Sequence, residues 1–353
     1  MLKSLSRTLR CSPLFLAAAC LLAPDAPPPA APPPAPDSAA LPPAAPTPTA
    51  PSPTPPDSVK AAAYEQKGKI GENDLKGLAF VACDADNRLV VLLDSGKVKL
   101  YDRDGKPAGE FATGMEKPSV LACGDGGEIF VLAATRKVEP ATTGPRKGRP
   151  VSITESVACK VFDRDGKTLR EMPLPDVKAC ASAAIAQKTL LVADNSAREV
   201  LLLDPATGRK KASIGKGIRL CCGIFGVNAD SKGNILVANL GAFRVLRLDP
   251  AGKELGAFGK RGEDESSFQS CCNPVNVVEL PDGRLMTAEK HDTLLKIFSA
   301  DGARCEQALK DVQKLVEGCS YIPMAVDSGG NVYLGNTSKG YVVKCGPAGK
   351  PAK

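Results

Sequence analysis

The chain has 353 residues, a formal net charge of +7 and 4% aromatic residues, with no tryptophan and one histidine. This charge is too small for its length to indicate a nucleic-acid-binding protein, and the shortage of aromatic rings argues against a sugar-stacking surface. A lone histidine forms no catalytic dyad, and the sequence has neither a glycine-rich phosphate loop nor a Gly-x-Ser-x-Gly elbow.

The first 23 residues have the pattern of an export signal. Lys3, Arg7 and Arg10 precede a short apolar run, and the small residues of "LAAAC" end at Cys20. We therefore expect an exported protein, located in the periplasm or at the cell surface. Two interpretations of Cys20 stay open, namely lipidation of its thiol and ordinary signal cleavage nearby.

Residues 24–58 are predicted to form an unfolded tether. Positions 24–56 contain 16 prolines, which remove backbone donors and leave little apolar mass to bury. No run of 18 apolar residues follows the signal, so the sequence predicts no membrane-spanning helix. Membrane contact is expected only through a lipid on Cys20.

Residues 59–353 contain six similar units, which begin near positions 83, 123, 184, 227, 277 and 325. Each unit has short runs of Val, Ile and Leu separated by turn pairs such as Asp104-Gly105 and Asp301-Gly302. Units of roughly 40 to 50 residues with this pattern are typical of propeller blades. The sequence thus predicts an all-β, six-bladed β-propeller of four-stranded antiparallel blades. Its closing outer strand would come from residues 61–70 or from the tail after 346.

The stretch "GNILVAN" at Gly233–Asn239, followed by Arg244 and Asp249, resembles the repeat of the NHL propeller family. The resemblance extends over most of the chain after Val59 and is strongest between residues 178 and 302. It implies the fold rather than an activity, because propellers serve many functions. The leading interpretation is an exported, monomeric, non-catalytic scaffold that binds a protein or a small anionic ligand at the face around its central channel.

A basic insertion interrupts the second blade between its second and third strands, in "TRKVEPATTGPRKGRPVSITES". Its cations are Arg136, Lys137, Arg146, Lys147 and Arg149. The insertion is expected to be a loop, and it is interpreted either as a solvated excursion or as a flap that recognises an anionic partner.

Cysteines recur at one position of three consecutive blades. Cys222, Cys272 and Cys319 each lie 17 residues before Asn239, Glu289 and Asn336, respectively. In a propeller, the loop that enters the innermost strand and the connection between the second and third strands lie on one face, which we call the channel face. The predicted ligand-binding residues of this face are Asn239, Glu289, Lys290, His291 and Asn336.

The cysteine pairs allow three interpretations. Adjacent α-carbons are about 3.8 Å apart, whereas disulfides usually need about 4.4 to 6.8 Å, so a Cys221–Cys222 or Cys271–Cys272 bond would be a strained clamp. A zinc or Cu(I) site is the second interpretation, with its candidate ligands Cys221, Cys222, Cys271, Cys272 and Cys319. Thiol redox chemistry is the third. A thiolate-bound metal ion is the cofactor candidate that the cysteines suggest.

Related propellers suggest two enzyme readings. The related peptidyl-hydroxyglycine lyases resemble metal enzymes whose sites contain several histidines. This chain has only His291, so it cannot supply such a site. Gluconolactonase-like propellers hold a divalent ion through carboxylate and amide oxygens, which would be Asp94, Asp194, Asn239, Glu289 and Asn336 here. The alternative is that these short polar side chains bond turn backbone.

Overall fold

The structure is a computed structural model that describes residues 62–144, 147–290, 293–310, 312–316 and 319–349. The expected export signal and tether, with Cys20, lie outside these ranges, as do Arg146 and His291. Within the described ranges, no helix has the length and apolar character needed to cross a bilayer.

The described residues form six antiparallel sheets of four strands each. Blade 1 comprises β2 (Leu78–Cys83), β3 (Leu89–Leu93), β4 (Lys97–Tyr101) and β5 (Pro107–Ala112). Blade 2 comprises β6 (Val120–Cys123), β7 (Ile129–Pro140), β8 (Pro150–Phe162) and β9 (Thr168–Pro173). Blade 3 comprises β10 (Cys180–Ala186), β11 (Thr189–Asp194), β12 (Glu199–Leu203) and β13 (Lys210–Ile214). Blade 4 comprises β14 (Gly226–Ala229), β15 (Ile235–Asn239), β16 (Arg244–Leu248) and β17 (Glu254–Phe258). Blade 5 comprises β18 (Asn276–Glu279), β19 (Leu285–Glu289), β20 (Leu294–Phe298) and β21 (Cys305–Leu309). Blade 6 comprises β22 (Met324–Val326), β23 (Val332–Asn336), β24 (Tyr341–Pro347) and β1 (Tyr64–Ile70). A short 3₁₀ helix, Leu240–Ala242, follows β15.

The six inner strands, β2, β6, β10, β14, β18 and β22, each contact the next one around a closed ring. The first strand in the chain closes it, because β1 pairs antiparallel with β24 from Tyr64↔Pro347 to Ile70↔Val342. Of the two predicted sources of the closing strand, the N-terminal one supplies it. The predicted all-β, six-bladed propeller is confirmed.

Burial explains the apolar composition of second strands such as β3 and β15. Both faces of a blade are covered by neighbouring blades, so β3, β15 and β23 are buried along their whole length. The outermost strands, such as β5 and β17, have mostly exposed side chains. The hydrophobic core therefore lies between blades and becomes complete only when all the blades are assembled.

Turns between strands use an aspartate and a glycine. Asp102 Oδ1 accepts hydrogen bonds from the backbone N–H groups of Asp104 and Lys106 at 2.9 and 2.8 Å. Gly105 then adopts a φ of 84°, which a residue with a Cβ rarely adopts. The same pairing of acceptor and glycine recurs at Asp249 and Gly252, and it fixes where each strand begins and ends.

The prediction of a loop for the basic insertion of blade 2 is wrong, because the insertion forms a β-hairpin. Strands β7 and β8 have 12 and 13 residues and pair from Ile129↔Phe162 to Pro140↔Pro150. Neighbouring strands β6 and β9 pair only with the inner part of this ribbon, up to Val120↔Leu132 and Ala158↔Pro173. We call the projecting part, residues 135–144 and 147–156, the arm. Val151 and Ile153 alternate with Ser152 and Thr154, which gives β8 strand character there.

Ring closure by β1 makes a prediction about stability. Ile70 is buried where β1 meets blade 1, so Ile70→Ala should lower the free energy of unfolding by about 2 to 4 kcal/mol. Leu255→Ala, on the outer strand β17 at a residue that is 53% exposed, is the matched control and should change it by less than about 0.5 kcal/mol. Urea unfolding followed by circular dichroism measures both. Equal effects would contradict the role of β1 as an integral strand of blade 6.

Candidate functional site

The cysteine loops are held by the last residue of the second strand of their own blade. Asn239 Oδ1 accepts from the Arg219 N–H at 2.7 Å, and Asn239 Nδ2 donates to the Gly217 carbonyl at 2.8 Å. Glu289 Oε2 accepts from the Gln269 N–H at 2.7 Å. Asn336 repeats the arrangement more weakly, with Nδ2 donating to the Lys314 carbonyl at 3.4 Å. The 17-residue spacing therefore reflects a loop bound to the strand beneath it.

These contacts show what is bound by the polar side chains of the predicted ligand-binding face and of the hydrolase alternative. Asn239, Glu289 and Asn336 are almost completely buried, and their oxygens accept from backbone donors of the channel face. Asp194 does the same, since it accepts from the N–H groups of Lys178 at 2.5 Å and Ser196 at 2.9 Å. These side chains support the loops, as the turn-bonding alternative expected. Within the described residues, the one group of three potential metal ligands is made of cysteines.

The loops bring the cysteines of blades 4 and 5 together. Cys221 and Cys272 form a disulfide between the two loops, with their α-carbons 6.2 Å apart, which lies in the usual range for such bonds. The predicted bond within each adjacent pair is wrong, because the first cysteine of one loop pairs with the second cysteine of the next. The clamp thus joins two blades.

Backbone conformation brings adjacent thiols close. Cys222 and Cys272 both adopt the left-handed region, with φ of 58° and 60°, which is unusual for residues other than glycine. This bend places the Cys222 Sγ 3.3 Å from the Cys221 Sγ, whereas an extended backbone would make the side chains diverge. The sulfurs of Cys221, Cys222 and Cys272 all lie within 4.8 Å of one another.

Two further cysteines extend this group, and we call all five the thiol cluster: Cys221, Cys222, Cys271, Cys272 and Cys319. The pKa of Cys319 lies below its ordinary value, because the sulfur accepts from the Cys222 thiol and lies beside the Lys290 ammonium. Donating that bond, together with partial desolvation, raises the pKa of Cys222. Cys271 interacts with both of these residues. The cluster therefore contains an exposed thiol biased toward the thiolate.

Two lysines of blade 5, Lys290 and Lys296, are buried. Lys296 pairs with Glu289, Nζ to Oε1 at 2.8 Å, and also donates to the Ser267 carbonyl. Burial raises the pKa of Glu289, although Lys296 and the Gln269 N–H oppose the rise. Lys290 is only 2% exposed, and its ammonium interacts with the Cys319 sulfur, whereas no oxygen acceptor binds its Nζ in the described part of the chain. A buried cation is costly unless anionic groups face it.

The arm forms a groove on the same face. The groove has a volume of about 530 Å³, and it is lined on one side by Arg136 with residues 152–154 of β8 and on the other by Lys178, Ala179, Asn195 and Ser196. Asn195 Nδ2 donates to the Gly223 carbonyl at 2.7 Å, next to Cys222. The groove therefore adjoins the loop of the thiol cluster.

The other cysteines lie elsewhere. Cys83 and Cys123 end the inner strands β2 and β6, where they line a cavity of about 230 Å³ in the central channel, and burial raises the pKa of both. Cys159 and Cys345 are buried on third strands, and Cys305 lies on the outer strand β21. No pattern in the sequence singles out Lys296 or Lys178, because only the fold brings Lys296 to Glu289 and Lys178 to the groove.

Comparisons with known proteins add little beyond the fold. No family model matches the chain, and no curated protein matches it. The solved WD40 β-propeller domain of Doa1 is similar, with a TM-score of 0.48 and 12% identity over 82% of this chain and 98% of that one. The resemblance to NHL repeats stays a prediction.

Because the Glu289–Lys296 pair is buried, we expect one conservative substitution in it to cause a large loss of stability. Glu289→Gln keeps the shape but leaves the Lys296 ammonium buried without a counter-charge, which should lower the free energy of unfolding by about 3 to 5 kcal/mol. The matched control is Glu110→Gln, which removes an exposed pair with Lys97 and should cost about 1 kcal/mol or less. Chemical unfolding measures both. Similar small losses would show that Lys296 does not depend on the carboxylate.

Proposed function

We propose that the protein is an exported binding scaffold that captures an acidic, extended segment of a partner protein along the open edge of β8. The observation that carries this proposal is the combination of an unpaired strand edge with a groove whose charged lining residues are both cations. The propeller fold supplies a rigid base for such a site, as propellers do for many interactions.

The open edge follows from the pairing of the arm. Strand β8 pairs with β7 along its whole length, but β9 begins its pairing at Ala158↔Pro173. Residues 151–156 therefore have one side without a neighbouring strand within the described sheet. An unpaired edge offers N–H and C=O groups at the spacing of an extended polypeptide, about 4.8 Å away.

Charge selects the kind of segment. Arg136 and Lys178 line the groove and form no ion pair within the described residues. Lys147 and Arg149 add positive charge near the tip of the arm. Asn195 also presents a buried Oδ1 with no hydrogen-bond partner among the described residues, which could accept from an added strand. An extended segment with Asp or Glu side chains satisfies the edge, the amide and the cations together.

Selection from a displayed library of random peptides of about ten residues, the length of a long strand, tests this proposal. We expect enriched peptides to contain Asp or Glu and to lack Pro. The double variant Arg136→Glu/Lys178→Glu should bind them about tenfold or more weakly, since about 1.4 kcal/mol is lost for each tenfold change. Lys253→Glu, an exposed cation in a turn of blade 4, is the control.

Strand addition has its own readout. Methylating alternate backbone nitrogens of an enriched peptide removes its donors, so affinity should fall while charge is unchanged. Equal binding by the methylated peptide, or by the double variant, would refute the proposal. Binding of a sulfated polysaccharide or of anionic vesicles through the arm, with no peptide enriched, would also refute it by assigning another class of partner.

Export and surface tethering form part of the proposal, because the N-terminal pattern and the proline-rich spacer would present the propeller away from a membrane. If Cys20 carries lipid, Cys20→Ser should move the protein from the membrane fraction to the soluble exported fraction. Cys11→Ser, in the same segment, should leave fractionation unchanged. Identical fractionation of the two variants would reject lipidation and leave export to be judged by signal cleavage.

A further inference from the structure

We propose that the reduced thiol cluster binds one soft metal ion, with the sulfurs of Cys221, Cys222 and Cys272 as ligands. Three thiolates suit Cu(I), and the neighbouring Cys319 would add the fourth ligand that Zn(II) requires. This site is separate from the groove of the arm, and it does not depend on whether a partner segment binds there.

The spacing of the sulfurs fits a single ion. A tetrahedral site with metal–sulfur distances of about 2.3 Å places its sulfurs about 3.8 Å apart. The three sulfurs lie within 4.8 Å of one another, with the Cys221 and Cys222 Sγ atoms 3.3 Å apart. A ligand set therefore needs only small side-chain adjustments once the disulfide is reduced. The ligands come from two loops, so one ion would connect blades 4 and 5.

Charge supports a thiolate site. Three thiolates around Cu(I), or four around Zn(II), leave a net charge of about −2 on the complex. The buried Lys290 ammonium lies beside the Cys319 sulfur of the cluster, and no oxygen acceptor binds it in the described chain. A buried cation is expensive by itself, and a negatively charged metal–thiolate complex would supply the missing counter-charge. Neutral thiols would not.

The surroundings provide both rigidity and access. Asn273 Oδ1 accepts from the Lys290 N–H at 3.1 Å, and Asn273 Nδ2 donates to the Gln269 carbonyl at 2.8 Å, which fixes the loop of Cys272. Asn239 fixes the loop of Cys222 in the same way. Cys222 and Cys319 are exposed, so an ion can reach the cluster from solvent.

The disulfide sets a redox condition for binding. Reduction of the Cys221–Cys272 bond takes two electrons and two protons from a dithiol reductant, which becomes a disulfide, and yields two cysteine thiols. Metal binding then releases thiol protons to solvent as metal–sulfur bonds form. In the oxidised protein, two of the three ligand sulfurs are bonded to each other and are poor ligands. Oxidation should therefore expel the ion.

Metal titration tests the proposal on the full-length protein, reduced anaerobically with a phosphine. We expect one Cu(I) per chain in competition with a chromophoric chelator, a sulfur-to-copper charge-transfer band, and no stoichiometric binding after oxidation to the Cys221–Cys272 disulfide. Cys222→Ser should weaken binding at least tenfold, whereas Cys305→Ser, on outer strand β21, should not. If Zn(II) is the natural ion, Cys319→Ser should abolish Zn(II) binding and spare Cu(I).

Lys290→Met separates a metal site from a merely crowded group of thiols. It should weaken metal affinity about tenfold, as loss of an outer partner of a metal site commonly does. Lys310→Met, an exposed neighbour, should have no effect, and circular dichroism should show that each variant is folded. The proposal is overturned if the reduced protein binds no ion stoichiometrically, or if Cys222→Ser and Cys305→Ser bind it equally.

Discussion

Antiparallel pairing of β1 with β24 is the contact on which the rest of the structure depends. Each blade is a thin sheet that cannot bury both faces alone, so its apolar second strand needs a neighbour on either side. Pairing from Tyr64↔Pro347 to Ile70↔Val342 joins the first described strand to the last. In the closed ring, every blade then has a neighbour on either side. The ring also fixes the distance between successive loops, and therefore brings cysteines about 50 residues apart together.

Sequence patterns predicted most of the architecture because the determinants of a blade are local. The Asp and Gly turn pairs and the short apolar runs were enough to give six blades of four strands and the common position of Cys222, Cys272 and Cys319. The arm was mistaken for a loop because charge and prolines obscured the alternation of Val151 and Ile153 with Ser152 and Thr154. That alternation was the available signal. Whether the segment forms strands depended on the pairing of β7 with β8 as a continuous ribbon.

The chemistry of the site could not be predicted in the same way, because it depends on contacts between loops of different blades. Cysteine pairing is decided by how neighbouring loops approach and by the left-handed conformation of Cys222 and Cys272. Spacing along the chain encodes neither. The burial of Lys290 and Lys296 is equally invisible in sequence, since lysines usually lie at the surface. Their different surroundings, a carboxylate for Lys296 and the sulfurs for Lys290, distinguish a structural pair from a candidate site.

The groove and the thiol cluster share one hydrogen bond, from Asn195 Nδ2 to the carbonyl of Gly223, and this bond gives a physical route between them. Asn195 lines the groove, and Gly223 follows Cys222 directly. A route is not yet coupling, because a ligand shifts an equilibrium only when it binds two states differently. The loop would need distinct arrangements in the disulfide and metal-bound forms. If it has them, any effect of the ion on segment binding must be matched by an equal effect of the segment on ion binding.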